Sequence, residues 1–116
     1  MTIDRTPAHL SDMLTFVREL RAIVGGASLE AYRGQRVLNL AVEKLFINLG
    51  EAAQRVPEIE RAGIGGVPWR QIIGLRNILA HGYEQVDQET LYRTVINELA
   101  AVEDALAVWL ASAGDA

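Results

Sequence analysis

Apolar residues recur every three to four positions along most of this chain, which is the spacing of one face of an α-helix. In the first such segment the recurring residues are Leu10, Met13, Val17, Leu20 and Val24. They predict a helix over residues 7–24, with Thr6 as its N-cap, Pro7 at its first position and Gly25-Gly26 at its end. A chain with this pattern packs helices against each other rather than pairing strands.

Three more helices follow from the same spacing, over residues 28–57, 68–81 and 87–109. Ser28 and Asp87 are expected N-caps, Gly82 is an expected C-cap, and residues 57–67 are expected to form a turn-rich connection. The second helix is apolar around most of its circumference, so we expect it to lie centrally, against several helices or a second subunit. Its interior Gly50 is typical of a close helix approach. The sequence therefore predicts an all-α bundle of four main helices.

Length and composition limit the class of protein. A chain of 116 residues, half of them hydrophobic, suffices for one domain, here residues 1–116, with one core. It has no cysteine, which excludes disulfides and thiolate zinc sites. No apolar run reaches the roughly 18 residues of a membrane span, and the N-terminus does not resemble a signal peptide. We expect a cytoplasmic protein without membrane contact.

The net charge of −4 is unevenly distributed. Residues 1–83 carry a balance of +2, whereas residues 84–116 carry −6. A broadly basic nucleic-acid-binding surface is therefore not expected. Any contact with nucleic acid would be local, on the side of Arg70 and Arg76, and the acidic last third is expected to be a solvated face or to meet a basic partner.

Residues 74–83, GLRNILAHGY, gather side chains that suit phosphoryl chemistry at the end of a predicted helix. Arg76 offers a planar fork of donors for a phosphate oxygen, and the imidazole of His81 can accept or donate a proton. Asn77 can orient either group, and Tyr83 supplies a hydroxyl. No metal-ligand spacing accompanies them, so we expect chemistry without a metal or cofactor.

Helix geometry leaves open how Arg76 and His81 would meet. They are about 140° apart around the axis and roughly 7–8 Å apart along it, so they do not converge on one atom of a straight helix. They could border one groove, converge if the helix unwinds at Gly82, or converge across a two-fold axis. A purely structural interpretation also stands, in which Arg76 pairs with an acid and His81 caps carbonyls. Glu51 could then be a partly buried structural acid, or it could orient Arg76.

The segment PWRQIIGLRNILAHGY, residues 68–83, closely resembles the signature of the HepT-like toxins of the HEPN superfamily. That signature is an Arg, a polar residue, three variable residues, a His and, two positions later, a Tyr, here Arg76, Asn77, His81 and Tyr83. Residues 41–53, AVEKLFINLGEAA, are similar to that family's second helix with its Gly-Glu-Ala run. Because the helix order and length also match, the resemblance covers nearly the whole chain.

The resemblance implies a HEPN-type bundle that acts as a homodimer, with both motifs in one cleft at the two-fold interface. It implies the toxin of a type II toxin–antitoxin system, an endoribonuclease that cleaves RNA, tRNA being one candidate, by attack of the RNA's own 2′-hydroxyl without metal. Arg76, His81 and Asn77 would be its catalytic residues. The implied partner is an MNT-type nucleotidyltransferase antitoxin, which can transfer AMP onto Tyr83.

Two other functions remain open at this stage. The chain could be a non-catalytic HEPN module that binds nucleotides or holds a nucleotidyltransferase, which the acidic composition suits slightly better. It could also be a plain helical dimerisation domain in which residues 76–83 only stabilise an interface. Loss of RNA cleavage in a folded His81→Ala variant separates the ribonuclease from both.

Overall fold

The computed structural model describes residues 3–82 and 87–114. These residues form α-helices and no strand, which confirms the predicted all-α class. The helices are α1 (Thr6–Val24), α2 (Leu29–Arg33), α3 (Arg36–Arg55), α4 (Glu58–Ala62), α5 (Trp69–His81), α6 (Gln88–Asn97) and α7 (Leu99–Gly114).

Helix α3 is the centre of the bundle, as its apolar pattern predicts. It packs most extensively against α5 and α1, and α1 in turn packs against α7. The apolar face of α1 lies wholly inside: Leu10, Met13, Val17, Leu20 and Val24 are all buried. From α3, Val42, Phe46 and Leu49 fill the space between the two neighbouring helices. Val37 and Leu40, by contrast, face solvent, so the apolar circumference of α3 is only partly covered.

The predicted helix over residues 28–57 is wrong in one respect, because it is divided into α2 and α3. Gly34 ends α2, and Gln35 is extended, with φ −110° and ψ 90°. The side chain of Asn39 donates a hydrogen bond to the carbonyl of Tyr32 across this break, at 2.8 Å. The Tyr32 side chain is fully buried and donates to Gln88 at 2.6 Å, so α2 is turned out of line with α3 to bury a tyrosine.

Three further predictions need correction. The fourth predicted helix is interrupted at Glu98, where φ is −121°, although Val95, Leu99, Val102 and Leu106 are buried as their spacing predicts. The connection 57–67 contains the short helix α4. Thr6 is already helical, so the N-cap of α1 is Arg5 rather than Thr6, and the carboxylate of Asp4 before it accepts the backbone N–H of Thr6 at 3.0 Å.

Local start and stop signals elsewhere behave as predicted. The hydroxyl of Ser28 accepts the N–H of Ala31, and the carboxylate of Asp87 accepts the N–H of Glu89. Gly25 ends α1 with φ 54°, a backbone conformation that favours glycine. Within the described ranges, no helix is long and apolar enough to cross a membrane.

Candidate functional site

Helix α5 carries the predicted motif and is fixed at both ends. It starts directly after Pro68, and the indole N–H of Trp69 donates to the carbonyl of Ile64 at 3.4 Å. Trp69 is partly buried against the core. At the other end, Gly82 is the predicted C-cap, and its N–H donates to the carbonyl of Ile78 at 2.7 Å. His81 is therefore the last residue of the helix.

Gly50 sets the distance between α3 and α5 at the level of Arg76. A methyl group at position 50 would collide with Cβ of Arg76, and it would lie 2.8 Å from its Cγ and 3.1 Å from the carbonyl oxygen of Ile72. Such distances are shorter than ordinary van der Waals contacts. The stem of Arg76 thus rests directly on the backbone of α3, which confirms the close approach expected from an interior glycine.

The guanidinium of Arg76 has two partners, and the side chain is 22 % exposed. Its Nη1 donates to Oδ1 of Asn77 at 3.0 Å, and its Nη2 lies 3.6 Å from Oε1 of Glu51. Its Nε is buried and has no hydrogen-bond partner among the described residues. A buried donor without a partner costs about 1–3 kcal/mol. The exposed part of the side chain retains capacity for an anionic acceptor.

Arg76 lines a surface cleft of about 320 Å³ together with Glu51, Gln54 and Arg55. The carboxylate of Glu51 lies beside Arg76 and is intermediate in burial, which fits both a structural acid and an orienting one. Gln54 and Arg55 were not predicted. Their signal was present, since residues three and four positions after Glu51 share its helix face.

The structure brings Asn77 to Arg76 but does not bring His81 into the same cleft. Asn77 and His81 are both exposed on α5, and His81 is not among the residues that line the Arg76 cleft. The poor convergence expected from the five-residue spacing is thus seen within one chain. Tyr83, the predicted modification site, lies outside the described residues. In the ranges 3–82 and 87–114, no three histidine or acidic side chains are grouped as a metal ion would require.

An all-α bundle that holds an Arg–Asn pair and an exposed His on one helix has the architecture of a HEPN-type protein. Comparison with known proteins gives the family. The model of the HepT-like family, described as "Ribonuclease HepT-like", matches residues 13–108. The chain belongs to this ribonuclease family of the HEPN superfamily.

Curated relatives agree with this assignment. The protein named "Putative RNase TTE0752" from Caldanaerobacter subterraneus subsp. tengcongensis is 31% identical over 100 residues, covering 85% of this chain and 89% of that protein. "Putative RNase MJ1380" from Methanocaldococcus jannaschii is 25% identical over 96 residues, covering 83% and 88%. No solved structure matches the chain significantly.

Proposed function

We propose that this protein is the toxin of a type II toxin–antitoxin system, a metal-independent endoribonuclease. The observation that carries the proposal is the position of Arg76: its stem is packed on Gly50, its guanidinium is aligned by Asn77 and Glu51, and its side chain stays partly exposed. A preorganised, incompletely bonded guanidinium is what stabilises the charge that develops on a phosphate during attack by a 2′-hydroxyl.

In this mechanism His81 exchanges the proton, taking it from the 2′-hydroxyl or returning it to the leaving 5′-oxygen. Asn77 holds the geometry of Arg76. The products are a 2′,3′-cyclic phosphate and a 5′-hydroxyl. Because Arg76 faces α3 and His81 ends α5, we propose that one site takes its arginine and its histidine from different copies in a homodimer.

RNA cleavage in the presence of EDTA tests the chemistry, with total RNA and tRNA as substrates. The unmodified wild type should cleave and leave cyclic phosphate ends, whereas folded Arg76→Ala and His81→Ala variants should not. Arg93→Ala is the matched control, because Arg93 is an exposed arginine that pairs with Glu89 on α6. If no RNA is cleaved by unmodified wild type, the non-catalytic partner-binding module replaces the ribonuclease.

Mixing the two inactive variants tests the shared site. In a heterodimer of Arg76→Ala and His81→Ala, one composite site has both residues. With random exchange, about a quarter of the wild-type activity should return. No recovery, in a mixture shown to contain heterodimers, would place both residues of each site in one chain.

We further propose that an MNT-type nucleotidyltransferase antitoxin neutralises the protein by transferring AMP onto Tyr83. The residue lies two positions after His81, so an adenylyl group would add negative charge and bulk next to the motif and repel an RNA phosphate. Intact mass after incubation with such an enzyme and ATP should rise by one or more adenylyl units, and Tyr83→Phe should stay unmodified. Modification elsewhere on the chain would contradict this assignment.

A further inference from the structure

Some arginines of this chain form ion pairs with carboxylates, and others do not. Those on the faces of α1 and α2 that meet the acidic last third are paired: Arg18 and Arg21 with Glu103, and Arg33 with Glu89. Among the described residues, no carboxylate forms an ion pair with Arg5 or Arg55. The charges of Arg5 and Arg55 are therefore available to an external anion.

Arg55 connects the Arg76 cleft to a second surface cleft. It is the last residue of α3 and lines both the 320 Å³ cleft with Arg76 and a neighbouring cleft of about 460 Å³. The other residues lining the second cleft are Ile3, Asp4, Arg5, Thr6, His9 and Pro57. The cationic side chain of Arg55 therefore lies between the two clefts and lines both of them.

The backbone around Arg55 is held in place by another arginine. Arg61 donates hydrogen bonds to the carbonyls of Val56, at 2.8 Å, and Gln54, at 3.2 Å. These bonds satisfy carbonyls at the C-terminal end of α3, which would otherwise attract the guanidinium of Arg55. Arg55 is thus an exposed cation on a fixed piece of chain.

The second cleft is lined by one acidic residue, Asp4. The carboxylate of Asp4 accepts the N–H of Thr6, and this bond holds the pKa of Asp4 below its usual value. Asp4 keeps its negative charge, but the two arginines of the lining outnumber this one carboxylate, so the cleft carries an excess of positive charge although the whole chain is acidic. Arginines at the rim of a concave surface bind phosphate through a planar fork of donors, and the cleft focuses their field.

We propose that Arg55 and Arg5 extend the RNA-binding surface from Arg76 toward the start of α1 and bind phosphates that flank the cleaved bond. This inference rests on the proposed ribonuclease function, since it names the path that the same substrate takes. In this proposal Arg55 and Arg5 bind RNA phosphates, whereas the motif on α5 catalyses the cleavage.

The salt dependence of RNA binding tests this path. Fluorescence anisotropy with a labelled single-stranded RNA is measured in the non-cleaving His81→Ala background, across a series of salt concentrations. The slope of log K against log salt should fall by about 0.7 for each phosphate that Arg55→Gln or Arg5→Gln no longer binds. Arg18→Gln is the matched control, because it removes the same charge from an ion pair with Glu103, and its slope should equal that of the parent.

Cleavage by otherwise wild-type chains gives the second readout. Arg55→Gln should raise KM and leave kcat nearly unchanged, whereas Arg76→Ala should lower kcat. The proposed RNA path is wrong if RNA binds but Arg55→Gln and Arg5→Gln keep the slope of the parent. It is also wrong if Arg18→Gln lowers the slope by the same amount. Neither result contradicts the proposed ribonuclease function. If the slopes change as expected but the wild type cleaves nothing, the path stands and the ribonuclease proposal fails. Absence of any RNA binding overturns both.

Discussion

Replacing Gly50 by alanine should push α5 away from α3 at the residue proposed to stabilise the transition state. The new methyl group would meet Cβ and Cγ of Arg76 and the carbonyl of Ile72, and the clash with backbone cannot be relieved by a side-chain rotation. Ordinary carbon contacts need about 3.5–4.0 Å, so the two helices must separate by roughly 1 Å.

Two opposing contributions determine how far Gly50→Ala changes the free energy of unfolding. Overpacking of this kind costs about 3 kcal/mol, at the upper end of the usual range, because both helices are central and tightly packed. Removing a glycine from a helix interior returns about 1 kcal/mol. The free energy of unfolding should therefore fall by about 2 kcal/mol, and a displacement of about 1 Å at Arg76 should lower kcat about a hundredfold.

Urea unfolding, monitored by circular dichroism, measures the free energy of unfolding, and an RNA-cleavage assay measures kcat. If the free energy of unfolding falls by roughly 1.5 kcal/mol per molar urea, the urea midpoint of unfolding should fall by about 1.3 M. Gly74→Ala is the control in α5, because nothing lies within 4 Å of its added methyl group, and it should stabilise by about 1 kcal/mol. A Gly50→Ala variant that is as stable and active as wild type would refute the argument from close helix approach.

Three further predictions concern single side chains. Glu51→Gln should lower kcat about tenfold with little change in KM or stability, because the charge that aligns Arg76 is lost; a change in KM alone would contradict this. Leu106→Ala should cost about 3 kcal/mol in urea unfolding, since Leu106 is fully buried, whereas exposed Val108→Ala should stay within about 0.5 kcal/mol. Burial raises the pKa of Tyr32 from 10.0 to about 12, so the stability that the neutral hydroxyl contributes is complete below about pH 10 and is lost by about pH 12. Tyr32→Phe should remove this alkaline loss, and an unchanged pH profile would contradict the assignment.

The parts of the fold that depend on neighbouring residues could be predicted from the sequence. The apolar face of α1 and the caps at Ser28, Gly82 and Asp87 depend on spacing and on hydrogen bonds within a few positions. The break between α2 and α3 could not, because its cause lies far along the chain. Tyr32 is buried against α6 and bonded to Gln88 there, and no local signal indicates that contact.

The candidate site likewise has a part that the sequence predicts and a part that it does not. Arg76, Asn77 and His81 were recognisable as a motif, and their spacing already indicated that one helix would not bring the arginine and the histidine together. The contact between Glu51 and Arg76 joins α3 to α5, and it depends on the missing side chain at Gly50. The wall that Arg55 forms between two clefts joins α3 to the start of α1. Such contacts follow from the packing of distant segments, so a local sequence pattern does not determine them.

The charge distribution reconciles an acidic chain with an RNA substrate. The excess acid lies in residues 84–116, and two of its carboxylates, Glu89 and Glu103, pair with arginines of α1, α2 and α6. These pairs reduce the field of that face at short range, whereas the arginines that line the two clefts at Arg55 outnumber the acids there, Glu51 and Asp4. An approaching polyanion responds to the local field more than to the net charge within a Debye length of about 8 Å at physiological salt. A net charge of −4 is thus compatible with binding RNA along one side of the bundle.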